Sequence, residues 1–237
     1  MVELGLAPSR ARAQDLIRRG LVDVAGVVER RPSAGVGANA AIRLSAAAGD
    51  HVSRGAVKLI AALDHFRFPV AGVVALDVGA STGGFTQVLL VRGAARVYAV
   101  DVGHGQLHAR VAADARVLAL EGRDARRLDS TLVLEPVGAV VADVSFISLT
   151  KALSVPLTLA RAGAWLVALI KPQFEAGRAA VGKGGIVRDP AARQRAVDLV
   201  RDWVAAQPGW RVLDVVPSPI LGGSGNEEFL LGAVRDP

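Results

Sequence analysis

Short apolar runs set between longer amphipathic stretches constrain this chain more than any other feature. Val73 to Val78, Arg96 to Val102, Ala139 to Val144 and Ala164 to Ile170 read as strands, with Phe85 to Val91 helical between the first two. Runs that are apolar on both faces must be covered on both faces, and their alternation with helices makes a mostly parallel sheet. From residue 53 onward the chain therefore reads as α/β, with a Rossmann-like order of elements. A helix from about Pro190 to Ala206 follows, and Asp189 is placed to cap it. Arg211 to Val216 and Phe229 to Val234 come last, separated by PSPILGGSGNEE, which predicts an antiparallel edge strand closing the sheet.

Residues 1–46 form a separate, smaller α+β unit, joined to residues 53–237 through a small-residue stretch at 47–52. Ser9 can cap a helix from Arg10 to Arg19 with Ala13, Leu16 and Ile17 on one face, and Gly20 stops it. Leu21 to Val28 then suggests short strands turning at Ala25-Gly26. Arg10, Arg12, Arg18 and Arg19 crowd the helix, and Arg31 follows the hairpin. So small a unit has little core of its own, and its arginines read as a surface for phosphates. A solvated charged face explains them equally well on physical grounds.

The charge balance points the same way. Lys plus Arg total 28 against 22 acids, a net charge of +6 that favours a polyanionic partner. There is no cysteine, which excludes disulfides, thiolate metal sites and any cysteine nucleophile. His104 and His108 lack an acid partner and read as surface or cofactor-edge residues, so no metal site is expected. No apolar run approaches the roughly 18 residues needed to cross a bilayer, and MVELGLAPSRARAQ lacks the apolar core of a signal peptide. The expected location is the cytoplasm. Oligomeric state is left open, with a monomer favoured.

The most informative segment is Asp77-Val-Gly-Ala-Ser-Thr-Gly-Gly-Phe-Thr86, where a strand gives way to a helix. Gly79, Gly83 and Gly84 permit a tight turn and close approach to a ligand, with Phe85 opening the helix. A dinucleotide fingerprint would want glycine where Ser81 stands. Asp77 instead sets a carboxylate at the strand end, which suits a cationic sulfonium ligand with an amino-acid tail better than a pyrophosphate. Asp101, followed by Val102, ends the next strand where an acid accepts ribose hydroxyls. Asp124 follows a further strand, third in chain order, expected between Val102 and Asp124, within reach of an adenine amino group. A nicotinamide or generic nucleotide site is the competing assignment.

Asp143 ends the fourth strand and Lys171 the fifth, both on the ligand edge of such a sheet. A lysine closing a buried strand is costly unless paired or used. A structural ion pair with Asp143 is one explanation; removal or steering of a proton from an attacking hydroxyl is the other. A lysine with the ordinary pKa of about 10.4 must fall by roughly 3 units to act as a base near neutrality, and arginine cannot do so. That gives a reason for lysine in a chain where only Lys58, Lys151, Lys171 and Lys183 are not arginines among its cations. Lys58, before the first sheet strand, and Glu228, before the last, are candidates for the same edge.

Asp77 to Thr86, Asp101 to Leu107, Asp143 to Leu149, Lys171 to Glu175 and Gly182 to Pro190 together resemble the TlyA family, whose larger half is similar to FtsJ-type ribose methyltransferases. Residues 7 to 26 resemble the RNA-binding module first named from ribosomal protein S-four. The resemblance covers nearly the whole chain. It implies S-adenosylmethionine as cofactor, ribosomal RNA or ribosomal subunits as partner, and cytidine 2′-O-methylation as the reaction. It implies a Lys-Asp-Lys-Glu tetrad mapping onto Lys58, Asp143, Lys171 and Glu228, with Glu228 preferred to Glu227 because it directly precedes Phe229. Lys183 joins the RNA-facing set. Against the family pattern the small module starts late, Ala25 stands where Asn is usual, and His104 replaces a Tyr. A cofactor-binding but inactive RNA-binding factor, and the membrane-damaging activity behind the family's hemolysin label, are the alternatives. The filled tetrad opposes the first, and the lack of an amphipathic membrane helix opposes the second.

Overall fold

The computed structural model describes residues 1–7, 9–18, 20–37, 40–44, 51–222 and 224–237, the side chains of Ala11, Arg12 and Asp15 excepted. It divides into two compact units, Met1–His51 and Val52–Pro237. Residues 47–50 of the expected joint lie outside the described residues.

In the first unit, helix α1 (Arg10–Arg18) begins just after Ser9, whose carbonyl accepts from Ala13 N at 2.9 Å. It ends where Gly20, at φ +68°, folds back onto the Ile17 carbonyl. Strands β1 (Val22–Val24) and β2 (Val27–Glu29) form the expected hairpin, its turn made by Ala25 and Gly26, both at positive φ. A third strand, β3 (Ile42–Leu44), was not legible in the sequence, because three residues show no periodicity. It pairs with the other side of β1 and gives the order β2-β1-β3. Ala7, Ala13, Leu16 and Val22 are the buried core of this unit.

The second unit begins with helix α2 (Gly55–Phe66) and strand β4 (Val74–Val78). Then come α3 (Gly84–Val91), β5 (Arg96–Asp101), α4 (Ala109–Ala112), β6 (Val117–Glu121), β7 (Val137–Ala142) and α5 (Leu149–Ala152). After these follow β8 (Ala160–Ile170), α6 (Pro172–Glu175), α7 (Pro190–Ala205), β9 (Trp210–Pro217) and β10 (Phe229–Arg235). The seven strands lie in the order β6-β5-β4-β7-β8-β10-β9. Residue alternation along the strands sorts the core into two layers, as strands buried on both faces require. Leu76, Val140, Leu166 and Ile170 pack towards Leu153, Val197, Val200 and Val204. Ala75, Val141, Val167 and Leu169 pack towards Leu59, Leu63, Phe85 and Leu89.

Five strands are parallel, and β10 runs antiparallel to β8 and to β9. The expected antiparallel strand is therefore present, but it is not at the edge. Leu230, Leu231 and Ala233 of β10 are at most 1% exposed, and such a strand needs neighbours on both sides. β9, with exposed positions along its length, takes the edge instead. Asp189 caps α7 as expected, Oδ1 accepting from Ala191 N at 2.9 Å.

Candidate active site

Parallel strands deliver their C-terminal ends to one rim of the sheet, and the register of this sheet decides what arrives there. Val78 pairs with Ala142, so Asp143 is the first residue past β7, its N–H donating to the Val78 carbonyl at 3.0 Å. Asp101 closes β5 opposite Glu121. Ile170 pairs with Phe229 in the antiparallel ladder, so Lys171 and Glu228 emerge side by side. An antiparallel insertion is what brings the start of a strand to the rim where the others finish.

Two lysine–carboxylate pairs meet at this rim. Lys171 Nζ lies 2.6 Å from Asp143 Oδ1 and donates to Ser145 Oγ at 2.9 Å. Lys58, in the first turns of α2, is paired with Glu228, and their side chains are only 7% and 3% exposed. The pairs are neighbours: a Cβ on Gly55, one turn before Lys58, would stand 3.3 Å from Asp143 Oδ2. Glu227 turns the other way, its side chain 54% exposed beside Arg193 at 3.3 Å. The ion pair of Lys171 and Asp143 anticipated on structural grounds is thus present, at the C-terminal rim of the sheet.

A cavity of about 390 Å³ opens beside Asp143, lined by Gly79, Ser81, Asp101, Val102, Gln106, Arg123, Asp124 and the segment from Asp143 to Ile147. Gly79, at φ +83°, is obligatory: a Cβ there would stand 2.7 Å from the Asp143 carbonyl oxygen. Asp101 holds the floor, Oδ2 accepting from Ser81 N and Oδ1 from Gly103 N, both at 2.8 Å. Glu121 secures the adjoining loop by accepting from the backbone N–H groups of Gly105, Gln106 and Leu107, which keep its carboxyl below the usual range. Asp124 lines the cavity with its carboxylate bound to Arg126 at 2.6 Å, which holds its pKa down to about 2. A larger hollow of about 740 Å³, around Leu134, Thr158 and Arg235, lies at the opposite edge and contains none of the expected residues.

Asp77, Gly83, Gly84 and Phe85 are not in the cavity wall. Asp77 is fully buried under the turn, Oδ2 accepting from Thr86 Oγ1 at 2.6 Å while Oδ1 has no hydrogen-bond partner among the described residues. Burial, reinforced by the nearby charges of Asp143 and Asp101 and opposed by Thr86, raises its pKa to about 7. Gly83 turns the chain at φ +89°, Gly84 packs against Ser53, and Phe85 is in the core. A sulfonium nucleoside suits this arrangement: there is room at the strand ends, a backbone cradle at Gly79, and three carboxylates, Asp101, Asp124 and Asp143, in the cavity wall.

Among the expected phosphate-facing residues, Arg10 and Arg18 are exposed on α1. Arg19 and the side chain of Arg12 lie outside the described residues. Arg31, although 78% exposed, bonds to Glu29 at 3.2 Å. Lys183 is exposed in a glycine-rich loop anchored by buried Asn226, whose Nδ2 donates to the Gly185 carbonyl and whose Oδ1 accepts from Val187 N. His108 caps α4, and the His104 ring lies over Gly122.

No individual role was legible in the sequence for Gln106, Arg123, Ser145, Phe146 or Ile147, all in the cavity wall. Phe146 is the most unusual, 91% exposed at φ +66°, with its ring 5.2 Å from that of Phe174. Its place in the Asp143 to Leu149 motif was the available signal; its exposure was not legible.

Residues 51–235 match the FtsJ-like methyltransferase family. The chain is 45% identical over 232 residues to the 16S/23S rRNA (cytidine-2′-O)-methyltransferase TlyA of Mycobacterium tuberculosis, covering 98% of this chain and 86% of that one. It is 38% identical to Hemolysin A of Brachyspira hyodysenteriae, covering 95% and 94%. Among solved structures, one from Streptococcus thermophilus that carries the hemolysin name superposes with a TM-score of 0.76 at 36% identity, over 96% of this chain and 83% of that one.

Proposed function

This chain belongs to the FtsJ-like methyltransferase family, and from that premise we propose that it methylates the 2′-hydroxyl of a cytidine in ribosomal RNA, using S-adenosylmethionine. The observation that carries the proposal is the meeting of two lysine–carboxylate pairs, one buried and one part-buried, beside a nucleoside-sized cavity. The activity printed for the M. tuberculosis relative supports the choice of cytidine and of rRNA.

Gly79, Ser81, Asp101, Val102 and Asp124 would hold the cofactor, with Asp77, Gly83, Gly84 and Phe85 shaping the turn beneath it. When bound, S-adenosylmethionine supplies a sulfonium methyl group open to displacement by an oxygen nucleophile. Lys171 Nζ, held by Asp143 and Ser145, serves as the base once its ammonium has given a proton to solvent: the neutral amine then accepts the ribose hydroxyl's proton as the oxygen attacks. Lys58 and Glu228 orient the ribose while neutralising each other. Alignment of this kind is worth roughly 7–11 kcal/mol of barrier. Phe146 offers an open ring face at the rim, and stacking of a base on such a face contributes about 1–3 kcal/mol.

Arg10, Arg12, Arg18, Arg19, Arg31 and Lys183 take the phosphate backbone, so the small unit of residues 1–46 serves as the RNA-binding domain and residues 53–237 as the methyltransferase domain. The protein acts in the cytoplasm, beside its ribosomal substrate. Transfer of labelled methyl groups from S-adenosylmethionine to ribosomal subunits tests the proposal. Lys171→Ala and Asp143→Ala are expected to abolish transfer while circular dichroism shows folded protein; full activity in both would defeat the chemistry. The hemolysin name of one relative motivates a second assay, although among the described residues no helix is long and apolar enough to cross a membrane. Liposome leakage independent of cofactor would favour that function instead.

A further inference from the structure

Two loops carry the chemistry of the rim, one running from Asp143 to Leu149 and the other from Lys171 to Glu175. They are joined by successive side-chain rungs. Lys171 reaches Asp143 at 2.6 Å and Ser145 at 2.9 Å, and the Phe146 and Phe174 rings lie 5.2 Å apart. The last rung is a single carboxylate. Glu175 Oε2 accepts from Ser148 Oγ at 2.6 Å, and Oε1 accepts from Leu149 N at 2.8 Å. Ser148 in turn caps α5 by accepting from Thr150 N, and its hydroxyl lies 2.8 Å from Thr150 Oγ1. Glu175 is half-buried, and that burial pushes its carboxyl above the ordinary value despite the two bonds it accepts. Glu175 does not itself line the cavity, and its described bonds go to Ser148 and Leu149.

We propose that Glu175 is a positioning residue, which fixes the Asp143 to Ser148 loop against the Lys171 turn and so sets where Asp143, Ser145 and Phe146 stand relative to Lys171 Nζ. This rests on the function proposed above for what the positioning achieves, but the strut itself is a property of the protein alone. Geometry, not charge, is what the two bonds require. Glutamine can keep both: its Oε1 accepts from Leu149 N, and its Nε2 donates to Ser148 Oγ, whose own hydrogen then turns to Thr150. Aspartate keeps the charge but is one methylene too short to hold both partners.

The test compares Glu175→Gln and Glu175→Asp by steady-state methyl transfer, calorimetric titration with S-adenosylmethionine, and amide hydrogen exchange of the ligand-free protein. Expected for Glu175→Gln are kcat and loop exchange within about twofold of the parent. Expected for Glu175→Asp is a fall in kcat of about tenfold or more, with cofactor affinity within about twofold and faster exchange at Leu149. Normal kcat and normal exchange in Glu175→Asp would overturn the proposal, as would equal impairment of both variants. A parent protein that transfers no methyl group would count against the proposed function; the exchange data would then still decide whether Glu175 holds the loop.

Discussion

Lys58 and Glu228 are sealed almost completely from solvent, so neither charge can be removed without stranding the other. Breaking such a pair from one side costs about 3–5 kcal/mol, whereas replacing both partners by apolar groups is often neutral. Lys58→Met is therefore expected to lower the urea midpoint sharply, and Lys58→Met with Glu228→Leu to recover most of the loss while methyl transfer stays absent. Recovery of transfer along with stability would show the pair to be scaffold only. Asp77 presents the opposite balance. Its pKa rises from 3.8 to about 7, chiefly through burial, so between those values the native protein holds a proton that the unfolded chain has released. Stability from this group is complete below the lower value and is lost as pH rises through the higher one. Asp77→Asn removes the dependence and should melt higher than the parent at pH 8, by about 2–4 °C for each kcal/mol relieved. Melting curves between pH 4 and pH 8 decide this; an unchanged slope in the variant would contradict it. At Lys171 the chemistry separates proton transfer from charge. Lys171→Arg keeps a cation beside Asp143 but cannot carry the proton, and kcat should fall by about 10²–10⁴.

At the scale of elements, the hairpin in the small unit carries an avoidable strain. Its turn needs positive φ at both central positions, and Ala25 adopts φ +52° where Asn would do so at lower cost. Ala25→Asn should stabilise the protein by about 1 kcal/mol without changing kcat, measured by denaturant unfolding; destabilisation would mean the turn is not as described. Apolar pattern made four of the five parallel strands and the capped helix after Asp189 legible, because burial on both faces and an N-cap each leave a local signature; β6, half-exposed along its length, left no such run. β3 left none in three residues. The interior position of β10 was missed for a different reason: chain order says which strand comes last, and only pairing says which is flanked. That pairing matters to function, since the register of Phe229 with Ile170 is what sets Glu228 beside Lys171. The Glu175 rung was illegible in the same way, being a contact between loops 26 residues apart.

Taken whole, the molecule sets an arginine-bearing unit in the same chain as an α/β unit whose two buried lysines, Lys58 and Lys171, stand at its rim. Lys58, Asp143, Lys171 and Glu228 could be singled out as candidates because lysines are scarce here and strand ends are predictable, but their grouping as a tetrad is what the resemblance to the TlyA family implies. Their pairing could not be read from the sequence, nor could the withdrawal of Asp77 and Phe85 from the cavity wall, because a motif gives spacing without giving the direction of each side chain. A basic chain that binds RNA through phosphate contacts should lose affinity linearly in log salt, and Arg10→Ala with Arg18→Ala should flatten that slope. The central claim concerns the atom methylated. Mass spectrometry of nuclease-digested rRNA, after incubation of unmethylated ribosomal subunits with the protein and S-adenosylmethionine, reads it directly. The expected product is 2′-O-methylcytidine, formed by the parent and absent with Lys171→Arg; a base-methylated nucleoside, or equal product from both proteins, would contradict the proposed chemistry.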